Sequence, residues 1–363
     1  MNESVNSGGA IAAPTVSVRE YLQGAKTRRY KWWKPIVAMI VAGVTAIATY
    51  VGLQLLTPIL FAAEREAVLS AFRDGNYLLH PIALGLTLYI FIPIILAIAF
   101  AVLTIERRKF GTLTSVKGRM RWDVLGYAFV ISALIMLPLN VLTFPFGEPT
   151  VNLLSVIPQF LVLLVLIPIQ AGTEEYMYRG WLQQALGAWK APTWLAIVLS
   201  TAAFTVSHPQ YGPIGLAFVA IMGLGAAWLT IRTGGLEGAI ALHVVNNYIV
   251  FSKELVWQIN PATQPDMTWG ELAYDALILL LVIAVMDWCL RRVIMKREGR
   301  EVMTGALGGP VGNFGEKAAP VVSGPAVPTH GELSGAPSAP AGLTPEGVSR
   351  AWVSVGQNVN TSV

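Results

Sequence analysis

The chain is short of charge. Only 13% of its 363 residues are Asp, Glu, Lys or Arg, about half the share in an ordinary soluble domain. With 54% hydrophobic residues and a mean hydropathy of +0.58, that deficit excludes a soluble globular domain and points to a polytopic membrane protein. Cysteine is almost missing. Cys289 is the one thiol, so no internal disulfide and no cysteine metal site can form; inside its apolar run it reads as packing. There is no glycine-rich phosphate loop, no internal repeat and no HExxH pair. The basic clusters follow membrane orientation and lack nucleic-acid features, so no nucleic-acid partner is expected. A cleavable signal peptide is not expected either, because the leader lacks a short apolar core followed by a small-residue site. It ends in KTRRYKWWK and enters an apolar run read as a retained helix. Trp32 and Trp33 suit the membrane interface there.

A membrane span needs about 20 mainly apolar residues. The runs at 35–62, 81–105, 123–144, 152–189, 192–208, 212–232, 235–251 and 272–292 give about eight transmembrane helices in an all-α bundle. The fourth is too long for one simple crossing, and residues 152–167 have no clear place. Lys and Arg gather on one side: Lys26 to Lys34, Arg107 to Arg121, Lys190, Arg232 and Arg291 to Arg300. The other side has only Arg65, Arg73 and Lys253. The positive-inside rule then puts both termini in the cytosol, with the cell membrane as the expected location. Three regions follow: a basic cytosolic leader at 1–34, a helical membrane domain at 35–300, and a tail at 301–363. The tail is rich in Pro, Gly, Ala and Ser and is expected to be disordered, since it cannot bury enough apolar surface to offset ordering entropy. His330 lies in it.

Four sets of polar residues interrupt the apolar runs: Glu174, Glu175 and Arg179; Phe204 to His208; His243 to Asn247; and Asp287 with Arg291. The last set has the spacing of a helical ion pair. The others are costly in a bilayer, about 2.5–3.5 kcal/mol per charged group on insertion scales, and should turn inward and pair. Glu175 and Arg179 stand four apart, on one helical face. Glu174 points about 100° away. One carboxylate is thus tied and the other left free. Phe204 stands four before His208 and can wall it from lipid, while His243 and Asn247 share a face.

Residues LGAWKAP around Lys190 read as a turn between antiparallel helices. Glu174 and His208 are both roughly 24–27 Å from it at 1.5 Å per residue, so they should face each other across the hairpin. His243 lies only roughly 14 Å past the RTGG turn. Helix tilt or an inward-dipping turn must close a gap of roughly 10 Å. Gly215, Gly223, Gly225, Ala226 and Ala227 on the preceding helix allow close approach.

A carboxylate, two imidazoles and an amide inside a membrane suit water activation. They could hold a divalent metal such as zinc, with His208, His243 and Glu174 as ligands and an open position for water. They could equally hydrolyse without metal, with His243 and Asn247 binding an oxyanion. The residues alone also allow polar glue in a helical bundle, or the proton relay of a proton-coupled transporter. The outer loop PQYGP carries no continuing acidic path, which disfavours transport.

EEYMYR fits EExxxR, FTVSH fits FxxxH and HVVNN fits HxxxN. Each is weak alone. In this order, over about 75 residues of a polytopic chain, the set resembles the CPBP family of CAAX proteases and bacteriocin-processing enzymes, which includes the type II prenyl-CAAX endopeptidase. The resemblance covers roughly 115–255. It implies an intramembrane endopeptidase acting on a membrane-associated peptide, with lipidated tails among the cargoes. It implies Glu174 as the water-activating carboxylate and Glu175 with Arg179 as its supporting pair. It implies that His208 binds metal or helps orient the water, and that His243 and Asn247 complete the site as ligands or as the oxyanion hole. A catalytically silent scaffold or immunity factor is the alternative within the same family.

Overall fold

The computed structural model describes residues 18–141, 151–257 and 266–298. The tail and the first part of the leader lie outside these residues. The described chain is helical, apart from an isolated bridge between Ser115 and Gly235. In chain order come α1 (Val18–Leu22), α2 (Lys34–Leu60), α3 (Arg65–Arg73), α4 (Pro81–Tyr89) and α5 (Phe91–Ala101), the last running into a π-turn at Val102–Glu106. Then come α6 (Gly111–Thr114), α7 (Trp122–Val141) and α8 (Ile157–Glu175), which continues through a π-helical stretch at Tyr176–Leu182 into α9 (Gln183–Ala188). The last are α10 (Thr193–Val206), α11 (Pro213–Thr233), α12 (Glu237–Trp257) and α13 (Trp269–Glu298).

Each of the apolar runs found in the sequence holds helix. By length and composition, five helical segments can cross a membrane: Lys34–Thr57, Pro81–Glu106, Trp122–Val141, Ile157–Ala188 and Pro213–Thr233. Thr193–Val206 is apolar but shorter. α2 turns Ile40, Val44, Ile47, Leu55 and Ile59 outward, the face expected toward lipid. The core lies between α7, α12 and α13, and α11 packs against both α13 and α10. α8 packs on α12 and α4.

Residues 152–167 now have a place. α8 starts at Ile157, and Gln159 Nε2 donates to the Leu79 carbonyl at 2.6 Å. Pro168 cannot donate to the carbonyl of Leu164. Tyr248 Oη, from α12, donates there instead at 2.8 Å, which keeps the helix continuous toward Glu174.

The end of the leader packs against the helices. Tyr21, Leu22 and Ala25 are buried, Tyr21 Oη donates to the Leu113 carbonyl at 2.6 Å, and Trp189 Nε1 donates to the Trp32 carbonyl at 2.8 Å. Burial holds the Tyr21 hydroxyl pKa well above its ordinary value, so it remains a donor. The sequence hid this because a five-residue helix has no amphipathic period long enough to read.

The α11–α12 turn dips inward. Gly234 takes φ +67, open to glycine without strain. Val116 N donates to the Gly234 carbonyl and Leu236 N to that of Thr114. The turn is therefore roofed by the segment after α6, and Leu236 and Glu237 are fully buried. Arg121 clamps it: its Nε and Nη2 donate to Glu237 at 3.0 and 2.7 Å, and its Nη1 to the Thr233 carbonyl at 3.0 Å. On the far side Asp287 pairs with Arg291 at 2.9 Å, as its spacing predicts, and also receives Arg232 at 3.0 Å. That second partner binds α13 to α11.

Removing one member of a buried ion pair leaves an uncompensated charge, at a cost of about 3–5 kcal/mol. Arg121→Met should lower the unfolding free energy in detergent by that amount. Arg121→Met combined with Glu237→Leu should recover most of it. A double variant no more stable than the single would show that the clamp is not an ion-pair effect.

Candidate active site

Glu174 sits at the end of α8, within the continuous Ile157–Ala188 helix. It is 6% exposed. Its Oε1 accepts from Gln170 Nε2 at 2.7 Å, while its Oε2 is buried with no hydrogen-bond partner. Oε2 faces two imidazoles: His243 Nε2 at 3.6 Å and His208 Nε2 at 4.0 Å. Both distances are too long for direct hydrogen bonds and leave room for one small bridging group. Glu174 and His208 thus do face each other across the hairpin. The buried turn before α12 closes the gap that separated His243 from them in the sequence geometry.

Each imidazole is fixed through its other nitrogen. His208 Nδ1 lies 2.7 Å from the Phe204 carbonyl, which can only accept, so Nδ1 carries the proton. His243 Nδ1 lies 2.8 Å from Glu175 Oε1 and donates to it in the same way. Both Nε2 lone pairs therefore point toward the Glu174 oxygen. His208 is not on a helix. α10 ends at Val206, because His208 precedes Pro209 and the residue before a proline is pushed out of the helical region.

Glu175 and Arg179 form the expected pair, 2.9 Å apart and both fully buried. The chain changes to π-helix immediately after Glu175, a local widening frequent at functional sites. Arg179 Nη2 donates to the Gly223 carbonyl at 3.1 Å, and its guanidinium lies 4.2 Å from the Phe204 ring centroid. A Cβ at Gly223 would stand 2.9 Å from Thr201 Cγ2 and 3.2 Å from Arg179 Nη2, so this contact needs glycine. Phe204 is 1% exposed, with its ring tilted against His208 at 4.6 Å and edge-to-face with His243 at 5.8 Å between centroids. It thus packs between Arg179 and His208 while walling His208.

Asn247 joins the site indirectly. Its Nδ2 donates to Gln170 Oε1 at 2.8 Å, and its Oδ1 accepts from Asn246 Nδ2 at 3.2 Å. Gln170 is the residue the sequence reading missed. It bridges Asn247 to Glu174 and fixes which carboxylate oxygen stays free. The signal was present: an amide four residues before Glu174, at the end of an apolar run. His80 plays no part here; its Nδ1 caps α4 by accepting from Ala83 N at 3.4 Å.

Two Nε2 atoms and one carboxylate oxygen thus face one another without a direct hydrogen bond between them. The chemistry of the set suits a divalent cation or a water. Among the described residues, no group of three or more His, Cys, Asp or Glu side chains is placed to hold a metal ion as it stands.

Residues 154–249 match the sequence model of the type II CAAX prenyl endopeptidase, Rce1-like, family. The match contains the three motifs and the whole constellation just described, and supports a membrane endopeptidase in general terms. The chain is also 29% identical over 255 residues to the uncharacterized protein YyaK of Bacillus subtilis, covering 64% of this chain and 82% of that one. No solved structure matches.

Because Arg179 is the one full positive charge paired with buried Glu175, Arg179→Ala should leave that carboxylate with only the His243 N–H as partner and cost about 3–5 kcal/mol. Glu174→Gln keeps shape and the Gln170 contact and should leave the unfolding midpoint nearly unchanged. Thermal unfolding of both purified variants in one detergent checks this. Equal losses would mean that the two glutamates do not differ in role.

Proposed function

We propose that this chain is an intramembrane endopeptidase in which Glu174 activates a water against a peptide carbonyl. The reading rests on one observation: the buried, unpartnered Oε2 of Glu174 facing the Nε2 atoms of both His208 and His243. A water between them donates its hydrogens to these acceptors, with its oxygen lone pairs turned to the substrate. Glu174 takes a proton as that oxygen attacks the carbonyl carbon, then returns it to the leaving amine. His243 holds its orientation through Glu175, and Arg179 pairs with Glu175 on its other side. The second N–H of Asn247 is available to the oxyanion. Positioned proton transfer of this kind contributes about 10²–10⁴ in rate.

A zinc ion is the cofactor we propose, held by His208, His243 and Glu174. When bound it would lower the pKa of its water to about 7. The observation that favours it is that both histidines have Nδ1 tied to an acceptor, the pattern that presents Nε2 to a metal. The substrate is a membrane-associated peptide, with a lipidated tail as the first to test. His208 has 15% of its side chain exposed against 2% for His243, so access is from the α10–α11 side. The Lys- and Arg-rich ends are proposed to face the cytosol of the cell membrane. A tag appended after Val363 should be reached only in permeabilised cells; labelling in intact cells would reverse the orientation.

Cleavage of a membrane peptide library by the purified full chain should fall by about 10²–10⁴ in Glu174→Gln, and that variant should retain bound substrate peptides. Full activity would remove Glu174 from the mechanism and leave a structural role. Elemental analysis should show one ion per chain, lost in His208→Ala. A metal-free preparation that still cleaves would leave Glu174 as the sole activator.

A further inference from the structure

Away from the active site, a recess of about 500 Å³ lies between the leader and the end of the α4–α5 helical segment, lined by Arg29, Leu103, Thr104, Arg107, Arg108 and Lys109. We propose that it binds the phosphate of an anionic lipid headgroup. The sequence treated these cations only as orientation signals. The structure sorts them into distinct positions.

Arg107 takes φ +54, in the left-handed region, an uncommon conformation for a residue other than glycine. The reversal there sends consecutive basic residues opposite ways. Arg107 and Lys109 are exposed, whereas Arg108 is 5% exposed. Arg108 is also fixed. Its Nε donates to Glu106, and its Nη1 donates to Gln184 Oε1 at 2.7 Å and Thr112 Oγ1 at 3.1 Å. Its Nη2 is buried with no partner, and a buried donor left unmade is unfavourable. Glu106 is buried, also accepts from Trp181 Nε1 at 2.6 Å, and offsets the charge of Arg108 rather than that of the exposed cations.

Three exposed cations around one pocket, Arg29, Arg107 and Lys109, with the ion-paired Arg108 at its floor, match the charge of a phosphate. Two features favour a lipid over a free ion. Leu103 is 54% exposed beside the cations, giving an apolar wall for an acyl chain. The recess also sits where an apolar helix emerges among basic residues, with Trp32 and Trp33 exposed nearby in sequence, the composition of a membrane interface. This inference does not depend on the peptidase reading.

The test uses the full chain in neutral detergent, with native mass spectrometry of the first bound lipid. Wild type should bind phosphatidylglycerol more tightly than phosphatidylcholine. Arg107→Ala combined with Lys109→Ala alters only exposed side chains and should weaken phosphatidylglycerol about 25-fold, about fivefold for each cation at an anionic surface. Arg65→Ala with Arg73→Ala, exposed charges on α3, should change nothing. Inorganic phosphate in millimolar excess should not displace the lipid. Equal affinity for the two lipids, no change in the first double variant, or an equal loss in the second would overturn the site. Displacement by inorganic phosphate would overturn the lipid assignment and leave a soluble anion. If the alanine pair fails to melt cooperatively, Arg107→Gln with Lys109→Gln gives the same readout.

Discussion

The buried Arg179–Glu175–His243 chain is the contact on which the site depends. Two full charges out of water are expensive, and their attraction repays the cost only when the remaining hydrogen-bonding groups are satisfied. Here Glu175 Oε1 takes both Arg179 and His243, and Arg179 also reaches the Gly223 carbonyl. One carboxylate oxygen thereby joins α8, the π-helical stretch and α12, and the guanidinium adds α11. The Phe204 ring brings in α10. With these elements fixed, the neighbouring Glu174 can remain short of partners on one oxygen, which is the condition its proposed chemistry needs.

The helices near this chain are irregular, and each irregularity has a compensating side chain. Pro168 leaves the Leu164 carbonyl without its helical donor, and Tyr248 supplies one. His208 leaves α10 because Pro209 follows, and its imidazole returns to the Phe204 carbonyl at that helix end. Away from water, backbone groups need partners within the protein. The polar side chains here both close the backbone and orient the site. Gln170 shows the economy of this: one amide donates to Glu174 and accepts from Asn247.

Several parts of this protein were legible in its residues. The charge deficit and the apolar runs indicated an all-α membrane chain. The spacing of four between Glu175 and Arg179 gave their pair, and equal distance from the Lys190 turn gave the approach of Glu174 to His208. These are local inferences. They use only the rise and period of one helix or one hairpin, quantities fixed by backbone geometry.

What the sequence could not determine depends on contacts between distant segments. The depth of His243 came from a turn buried under residues 114–121 and clamped by Arg121. The place of Gln170 came from the facing of α8 and α12. Burial of Tyr21 at the leader's end came from its partner 92 residues away. The inward turn of Arg108, between two outward neighbours, came from Gln184 and Glu106. Spacing along one helix sets which residues share a face. Which face meets which, and how deep a turn lies, is set by packing and by the need of each buried polar group for a partner, and that only the tertiary structure decides.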